Sequence, residues 1–290
     1  MMRRKDAHPA VSTSEQQQGE KWFKMAQSSL ALEMGNSRES QTFGSHIEKV
    51  RFGQFEIDTW YTSSYPDRFS ILRTLFVCQY CFRYLKCETQ LNRHLGKCTL
   101  SHPPGKEIYH ADKLSFWEVD GEKNTAFCQN LCLFAKLFLE HKTLVDQVEA
   151  FNFYLMTGSE QEEYQMIGYF SKEKDPLSKY NVSCLLVLPP FHSKGYGRLL
   201  IDFSYMLTRI ERKTSSPEHP LSDLGLIAYR KYWISKVMEY INGLSNDQMF
   251  SMADISQETG IHPNDIASTL QYIGIVKTWR GKYWIYKSEV

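Results

Sequence analysis

Leu185-Leu186-Val187-Leu188-Pro189-Pro190-Phe191-His192-Ser193-Lys194-Gly195-Tyr196-Gly197-Arg198-Leu199-Leu200 reads as an apolar strand, a loop and the start of a helix, joined by Gly-x-Gly. Glycines at 195 and 197 let the backbone approach an anion closely, the helix N-terminus adds its dipole, and Lys194 and Arg198 add positive charge. Gly-x-Gly by itself also marks ordinary turns, so its surroundings decide its meaning. Upstream, Phe151 to Thr157, Met166 to Phe170 and Val182 to Leu188 read as successive strands. Downstream, Arg198 to Arg209 reads as a helix. Earlier still, Phe116 to Gly121 reads as a strand ending in a turn. A helix follows it, with Phe127, Leu131, Phe134 and Phe138 at three- and four-residue spacing. The pattern predicts an α+β fold around a mostly antiparallel sheet, with helices buried against it.

Toward the N-terminus, Met1 to about Gly44 is rich in Ser, Gln, Glu and Gly without a sustained period, and residues 1–45 are expected to form a disordered tail. An ordered domain is expected over 46–290, opening with the strand-like Val50-Arg51-Phe52 and Phe55 to Trp60. Toward the C-terminus, Met252 to Thr259, a break at Gly260, Pro263 to Tyr272 and two strands around Arg280-Gly281-Lys282 suggest a winged-helix-like segment over about 245–290. The 290 residues hold 34 Lys+Arg against 33 Asp+Glu, a balance that excludes a general polyanion binder and leaves only local basic patches. The most apolar run, Asn130 to Glu140, is interrupted by Lys136 and falls short of the ~18 apolar residues of a membrane span. Arg3, Arg4 and Lys5 are not followed by an apolar run, so no secretory signal peptide is expected and the protein is expected inside the cell.

Four of the seven cysteines fall between Cys78 and Cys98, which in a reducing compartment points to a metal rather than to disulfides. Cys78-x2-Cys81-x12-His94-x3-Cys98 is zinc-finger spacing: two Cys on a turn and a His and Cys about one helical turn apart converge four ligands suited to a closed, structural Zn²⁺ site. Cys87 has no partner spacing and is expected to stay unliganded. The finger, about 71–100, is locally basic through Arg73, Arg83, Lys86, Arg93 and Lys97. A single finger reads only about three base pairs, so sequence-specific DNA binding is not expected.

Further blocks complete the picture: Phe52-Gly53 with Glu56 to Tyr61, His102-Pro103-Pro104-Gly105, Cys128 to Cys132, Ile167 to Lys174, Asn181-Val182-Ser183-Cys184, Ile201 to Tyr205, and Ser216-Pro217-Glu218 through Gly225. With the finger and the glycine loop, these blocks resemble the MYST family of histone lysine acetyltransferases over roughly Ile47 to Val290. The resemblance implies an N-acyltransferase-like core that binds acetyl-CoA, over about 107–235, flanked by the zinc finger and by a helix-turn-helix-like C-terminal segment. It implies that Glu218 is the general base, Cys184 the active-site cysteine and Lys142 an autoacetylated lysine. It further implies that Leu185, Leu186 and Val187 with the loop His192, Ser193, Lys194, Gly195, Tyr196, Gly197 and Arg198 bind acetyl-CoA, with Ser222 near it. Implied partners are histone tails of H3 and H4, the nucleosome and scaffold subunits of a chromatin-acetylating complex; the implied location is the nucleus. The blocks Tyr180 to Cys184 and Ile255 to Thr259 look most like the branch that works with bromodomain, PHD-finger or ING scaffolds. Two departures bear on cofactor affinity. The family's loop usually reads Gln-Arg-x-Gly-x-Gly, whereas His192-Ser193-Lys194 precedes Gly195 here, and Ala228-Tyr229-Arg230-Lys231-Tyr232-Trp233 stands where Ser-Tyr-Arg-Ser-Tyr-Trp is usual. Lys194 and Lys231 are available to restore charge.

The chemistry requires a base, because a lysine ammonium, with a reference pKa near ~10.4, must lose a proton before its nitrogen attacks a thioester. Glu218 lies between Pro217 and Pro220, and burial there would favour its protonated form and suit it to the task. For Cys184 two routes remain: a ternary complex in which lysine attacks acetyl-CoA directly, or a ping-pong route through acetyl-Cys184. The ternary route is favoured, with a backbone amide beside Cys184 stabilising the oxyanion. The helix from Pro263 has no Arg or Lys through Leu270, which argues against DNA reading by the C-terminal segment. Two rival classes are weighed against the enzyme: a zinc-finger and winged-helix nucleic-acid-binding module, and an acetyltransferase-fold pseudoenzyme without turnover.

Overall fold

The computed structural model describes residues 46–140, 147–160, 163–175, 180–245, 248–279 and 282–285. The tail expected over 1–45 and Lys142 lie outside the described residues. The chain divides into two compact units, one of them Gly44–Ile273.

That unit opens with β1 (Lys49–Phe52) and β2 (Phe55–Asp58), a short helix α1 (Asp67–Ser70), then β3 (Thr74–Val77), β4 (Tyr84–Leu85) and α2 (Glu88–Leu95). The four strands form a small sheet in the order β2-β1-β3-β4, with β1 and β3 parallel. α2 buries none of its residues, so it is held by what its side chains bind rather than by an apolar face.

The central sheet is built from β5 (Lys106–Ala111), β6 (Leu114–Asp120), β7 (Phe151–Glu160), β8 (Glu163–Glu173) and β10 (Cys184–Val187), with α3 (Thr125–Lys136) inserted after β6 and β9 (Tyr180–Val182) preceding β10. Its order is β10-β8-β7-β6-β5 and every adjacent pair is antiparallel. Successive side chains alternate between faces, and here both faces are covered. Trp117, Val119, Phe153, Leu155, Met166, Tyr169 and Leu186 join the core that α3 fills with Leu131, Phe134 and Ala135. Phe116, Tyr154, Met156, Ile167 and Phe170 join a second core with α4 (Tyr196–Ile210). The rings of Phe116 and Phe203 stack there with centroids 3.9 Å apart.

β11 (Ser216–Pro217) leads to α5 (Asp223–Gly243), α6 (Met252–Thr259) and α7 (Pro263–Tyr272); α5 and α6 pack against α4, and α7 packs against α5 and α6. Ser251 and Asp254 form a reciprocal capping box at the start of α6, Gly260 ends it at φ +74°, and Pro263 opens α7. The second unit contributes the antiparallel strands β12 (Val276–Trp279) and β13 (Lys282–Ile285); Arg280 and Gly281, read as part of the turn, lie outside the described residues.

Two differences from the sequence reading matter for the site. The strand read over Val182 to Leu188 is two strands. The Ser183 amide donates to the Ser171 carbonyl (2.8 Å) and the Cys184 amide to the Ser171 hydroxyl (3.2 Å), so two successive residues of one strand converge on one residue of β8. This bulge turns β9 away from the sheet, and β9 pairs instead with β11. The second difference is α5, which the reading passed over. Its buried stripe of Tyr229, Tyr232, Trp233, Val237 and Ile241 has helical spacing. Apolar residues on the other faces, such as Leu224 and Ile234, blur that period.

Candidate functional site

The metal cluster is assembled from two turns. After β3, the Cys78 amide donates to Arg83 carbonyl and the Phe82 amide to Cys78 carbonyl, both at 2.9 Å, a tight knuckle with Phe82 at φ +60°. α2 supplies His94, and the turn after it supplies Cys98. The four ligand atoms lie within 4.8 Å of one another, with Cys78 Sγ to Cys98 Sγ at 3.9 Å and Cys81 Sγ to His94 Nε2 at 3.2 Å. Tetrahedral Zn²⁺ with bonds near ~2.3 Å to sulfur requires sulfurs about 3.8 Å apart, so the donor set fits zinc. Hydrogen bonding from Cys81, opposed by burial and helped by the backbone amides of Cys81 and Tyr80, pushes the Cys78 thiol down to about 5. That same bond and burial push Cys81 up, so the pair shares one thiolate. Cys87 is exposed and outside the cluster, as its spacing predicted.

The second constellation lies where β9 and β10 part. β10 is an edge strand of the central sheet. The Leu188 amide bonds the Ile167 carbonyl at 2.9 Å. Antiparallel alternation from that bond turns the Leu186 backbone toward β8 and the Leu185 and Val187 amides toward the open edge. Leu186 is buried in the α3 core, whereas Leu185 and Val187 are half-buried on the α4 side. Gly168, opposite Val187, allows this close pairing, because a Cβ there would stand 2.5 Å from the Leu186 carbonyl oxygen. Cys184 is half-buried at the first position of β10.

Glu218 arrives at the same place from the other side. β11 runs parallel to β9, and the Glu218 amide donates to the Val182 carbonyl at 2.8 Å, which places its backbone beside a residue two before Cys184. β9 is in turn tied to α4 by buried Asn181, whose Nδ2 donates to Ser204 Oγ (3.4 Å) and Thr208 Oγ1 (3.2 Å). The Glu218 side chain is exposed, which corrects the expectation that burial tunes it: the protein alone leaves the carboxylate in water and reachable by a substrate.

The glycine loop follows β10. Pro189–Phe191 form one 3-10 turn, Gly195 caps α4 with φ +87°, and no side chain caps the helix. The first intrahelical bond runs from Leu199 amide to Gly195 carbonyl, so the amides of Tyr196, Gly197 and Arg198 have no helical acceptor. A Cβ on Gly195 would meet nothing within 4 Å, so the amides open onto free space, a cradle for an anion. The side chains around it are partly engaged. His192 Nε2 donates to Val187 carbonyl (2.7 Å), Lys194 Nζ sits 5.4 Å from the Phe191 ring centroid, and Arg198 Nη2 donates to Ser235 Oγ (2.8 Å). Ser193 is exposed in a left-handed conformation. Ser222 accepts from Gly225 amide (3.2 Å) and so caps α5.

The structure therefore puts Leu185 and Val187 on the open edge of β10, Cys184 at its start and the Glu218 backbone beside Val182 of β9, two residues before Cys184, with the loop 192–198 following β10 directly. Sequence reasoning did not single out Ser216 and His219, which flank Glu218 on its own loop with Ser216 Oγ 3.2 Å from His219 Nε2, or the buried Asp265 of α7. The signal for Asp265 was its place in the stripe Asp265, Ile266, Thr269 and Leu270, all buried on one face of α7: an acid at a core position.

Comparisons with known proteins agree with this geometry. Residues 45–98 match the MYST family zinc finger domain, and residues 102–290 match the MOZ/SAS family. A Caenorhabditis elegans protein named histone acetyltransferase Tip60 homolog is 46% identical over 259 residues, 88% of this chain and 57% of that protein. The human protein named histone acetyltransferase KAT6A is 47% identical over 240 residues, 83% of this chain and 12% of its own length, and the mouse protein of that name is 46% identical over the same span. The chain thus spans little more than half the length of the first of these relatives and a small part of the others.

Proposed function

Because this chain belongs to the MYST family, with that family's zinc finger and MOZ/SAS regions over 45–98 and 102–290, we propose that it transfers acetyl from acetyl-CoA to lysine ε-amino groups of histone tails, those of H3 and H4. The observation that carries this reading is the bond from the Glu218 amide to the Val182 carbonyl, which holds a carboxylate-bearing loop against the strand that runs into Cys184 and the glycine cradle. When bound, acetyl-CoA supplies an activated acyl group and a thiolate leaving group.

The protein's own residues then have distinct tasks. Glu218, exposed on its pinned loop, accepts the proton of the incoming lysine ammonium; docking of the peptide supplies the desolvation that the free protein does not. The outward Leu185 amide is the donor to the carbonyl oxygen as charge develops there. The Tyr196, Gly197 and Arg198 amides, with Lys194 and Arg198, hold the pyrophosphate, and Arg198 is set in place by Ser235. The engagement of His192 with Val187 suits it to bracing the loop, so backbone amides replace the arginine that the family's usual loop carries. Cys184 packs beside the reacting groups, and lysine attacks in a ternary complex. Ser222 acts through the start of α5.

Histone tails on nucleosomes are the proposed substrate, scaffold subunits of a chromatin-acetylating complex the proposed partners, and the nucleus the proposed location. Among the described residues no helix is long and apolar enough to cross a membrane. Sequence-specific DNA binding is not proposed, because α7 buries Asp265, Ile266, Thr269 and Leu270 and carries no cation from Pro263 to Leu270. Radiolabelled acetyl transfer to H3 and H4 peptides tests the reading. Turnover that requires both acetyl-CoA and peptide supports it. Acetyl-CoA binding without turnover would mark a pseudoenzyme, and salt-steep DNA affinity with neither would mark a binding module.

A further inference from the structure

The loop from Pro189 to Gly195 holds an unfavourable conformation. Ser193, a residue with a side chain, sits at φ +60°, two positions before Gly195 at φ +87°. A left-handed turn at a non-glycine residue persists only where its surroundings over-determine it. These two residues set the direction in which the chain enters α4, and with it the direction in which the Tyr196, Gly197 and Arg198 amides point. Gly195 adopts its turn freely. Ser193 must be held in its own.

Both of its neighbours are held. Before it, His192 reaches back over the loop and its Nε2 lies 2.7 Å from the Val187 carbonyl oxygen. A carbonyl only accepts, so Nε2 carries a proton whether the ring is neutral or charged. After it, Lys194 Nζ stands 5.4 Å from the Phe191 ring centroid. Phe191 and His192 are in turn fixed from outside the loop, by two aromatic residues of the β2 segment. Phe55, the first residue of β2, meets the Phe191 ring edge to face with centroids 5.5 Å apart. Trp60, just past β2, meets the His192 ring with centroids 5.5 Å apart and the Phe138 ring at 6.0 Å. The Trp60 amide donates to the Leu137 carbonyl (2.9 Å), and both Leu137 and Phe138 are buried where α3 ends. Trp60 is thus anchored on the core and offers its ring to the loop.

We propose that Trp60 is a positioning residue for acetyl-CoA binding: it holds the His192 ring at the Val187 carbonyl and, with Phe55, keeps the loop in the conformation that leaves the three amides open. This rests on the reading of the glycine loop as the acetyl-CoA site. The observed dissociation constant is the intrinsic one divided by the fraction of molecules whose loop is already set. If releasing the latch leaves about a tenth of the population set, acetyl-CoA binding weakens roughly tenfold. Proton transfer at Glu218 belongs to another segment, so kcat at saturating acetyl-CoA should stay within about twofold of wild type.

The test compares His192→Ala, His192→Gln, Trp60→Phe and His192→Ala/Trp60→Phe with wild type. Acetyl-CoA affinity is measured by calorimetry, kcat and KM with H4 peptide, melting temperature on the same samples, and the His192 ring tautomer by nitrogen NMR in cofactor-free protein. The expected result for His192→Ala is roughly tenfold weaker acetyl-CoA binding with peptide KM and melting temperature unchanged, since His192 is exposed. Gln keeps an N–H for Val187 but has no ring for Trp60, so His192→Gln should recover part of the loss. Trp60→Phe keeps a ring against Phe138 and shortens the reach to His192, so it should weaken binding in the same sense. The double variant should bind no worse than His192→Ala, because the two residues act through one contact. Cofactor-free wild type should show the Nε2–H tautomer. Wild-type affinity in His192→Ala or in Trp60→Phe, additive losses in the double variant, or an Nδ1–H tautomer would overturn the proposal. Losses that merely follow melting temperature across the set would overturn it equally. Two levels of failure stay distinct: wild-type protein that binds no acetyl-CoA defeats the reading of the loop and this inference with it, whereas tight wild-type binding that His192→Ala retains defeats this inference alone.

Discussion

Removing zinc should unfold the catalytic unit rather than the finger alone. Cys81→Ser or a strong chelator takes one ligand, or the ion, from a cluster whose knuckle carries Phe82 on its tip. The Phe82 ring stacks on Phe52 (5.4 Å) and meets Phe127 (5.3 Å) and Phe134 (5.5 Å), the last two on α3, so finger and central sheet share one core. Losing the packing of one buried Phe costs about 3–5 kcal/mol. If both Phe82 and Phe52 come loose, the loss is about 6–10 kcal/mol, comparable to the entire stability of an ordinary domain at about 5–15 kcal/mol. The metal's own binding energy, about 10–16 kcal/mol in isolated fingers, is more than large enough to impose this coupling. At about 2–4 °C per kcal/mol, even half of the Phe loss lowers the melting temperature by roughly 6–20 °C. The assay is thermal unfolding by circular dichroism with metal analysis on the same sample, before and after chelation. A single transition that moves down with zinc content is expected. Stoichiometric zinc loss that leaves the melting temperature within about 2 °C, or well-folded protein that never contained zinc, would refute the shared-core reasoning.

Gly195→Ala places a Cβ in open space but at φ +87°, a conformation that costs an L-residue about 1–2 kcal/mol; we expect weaker acetyl-CoA binding with kcat at saturation largely kept, and an unchanged dissociation constant would contradict the cradle. Cys184→Ala should keep most turnover, with initial-rate lines that intersect, whereas parallel lines, a dead variant and acetyl accumulating on wild-type Cys184 without peptide would establish the ping-pong route. Ser222→Ala should cost about 1 kcal/mol of stability through loss of the α5 cap, and a loss of acetyl-CoA affinity without any change in melting temperature would show that the hydroxyl serves the cofactor instead.

Residues whose role is set by local spacing were legible in the sequence. The zinc ligands converge because a knuckle and a helical turn place them, and Gly195 because only glycine rests easily at its φ. The five-stranded sheet was legible in most of its members, since Phe153 to Met156 and Met166 to Phe170 are apolar runs of the kind both faces of a covered sheet require. The separation of β9 from β10 was not, because it depends on two amides converging on Ser171, a long-range contact with no local signature. α5 escaped notice because apolar residues surround it. The exposure of Glu218 was likewise invisible, as flanking prolines restrict a backbone without saying which way a side chain faces.

The most direct test of the central claim is Glu218→Gln assayed for acetyl transfer to H3 and H4 peptides across pH, with acetyl-CoA affinity measured on the same protein. The amide keeps the shape and removes the proton acceptor. The account predicts acetyl-CoA affinity close to wild type, turnover near background at pH 7, and partial recovery as pH rises toward the lysine pKa of about 10.4, where the free amine no longer needs a base. Wild-type turnover at pH 7 in the variant would contradict it.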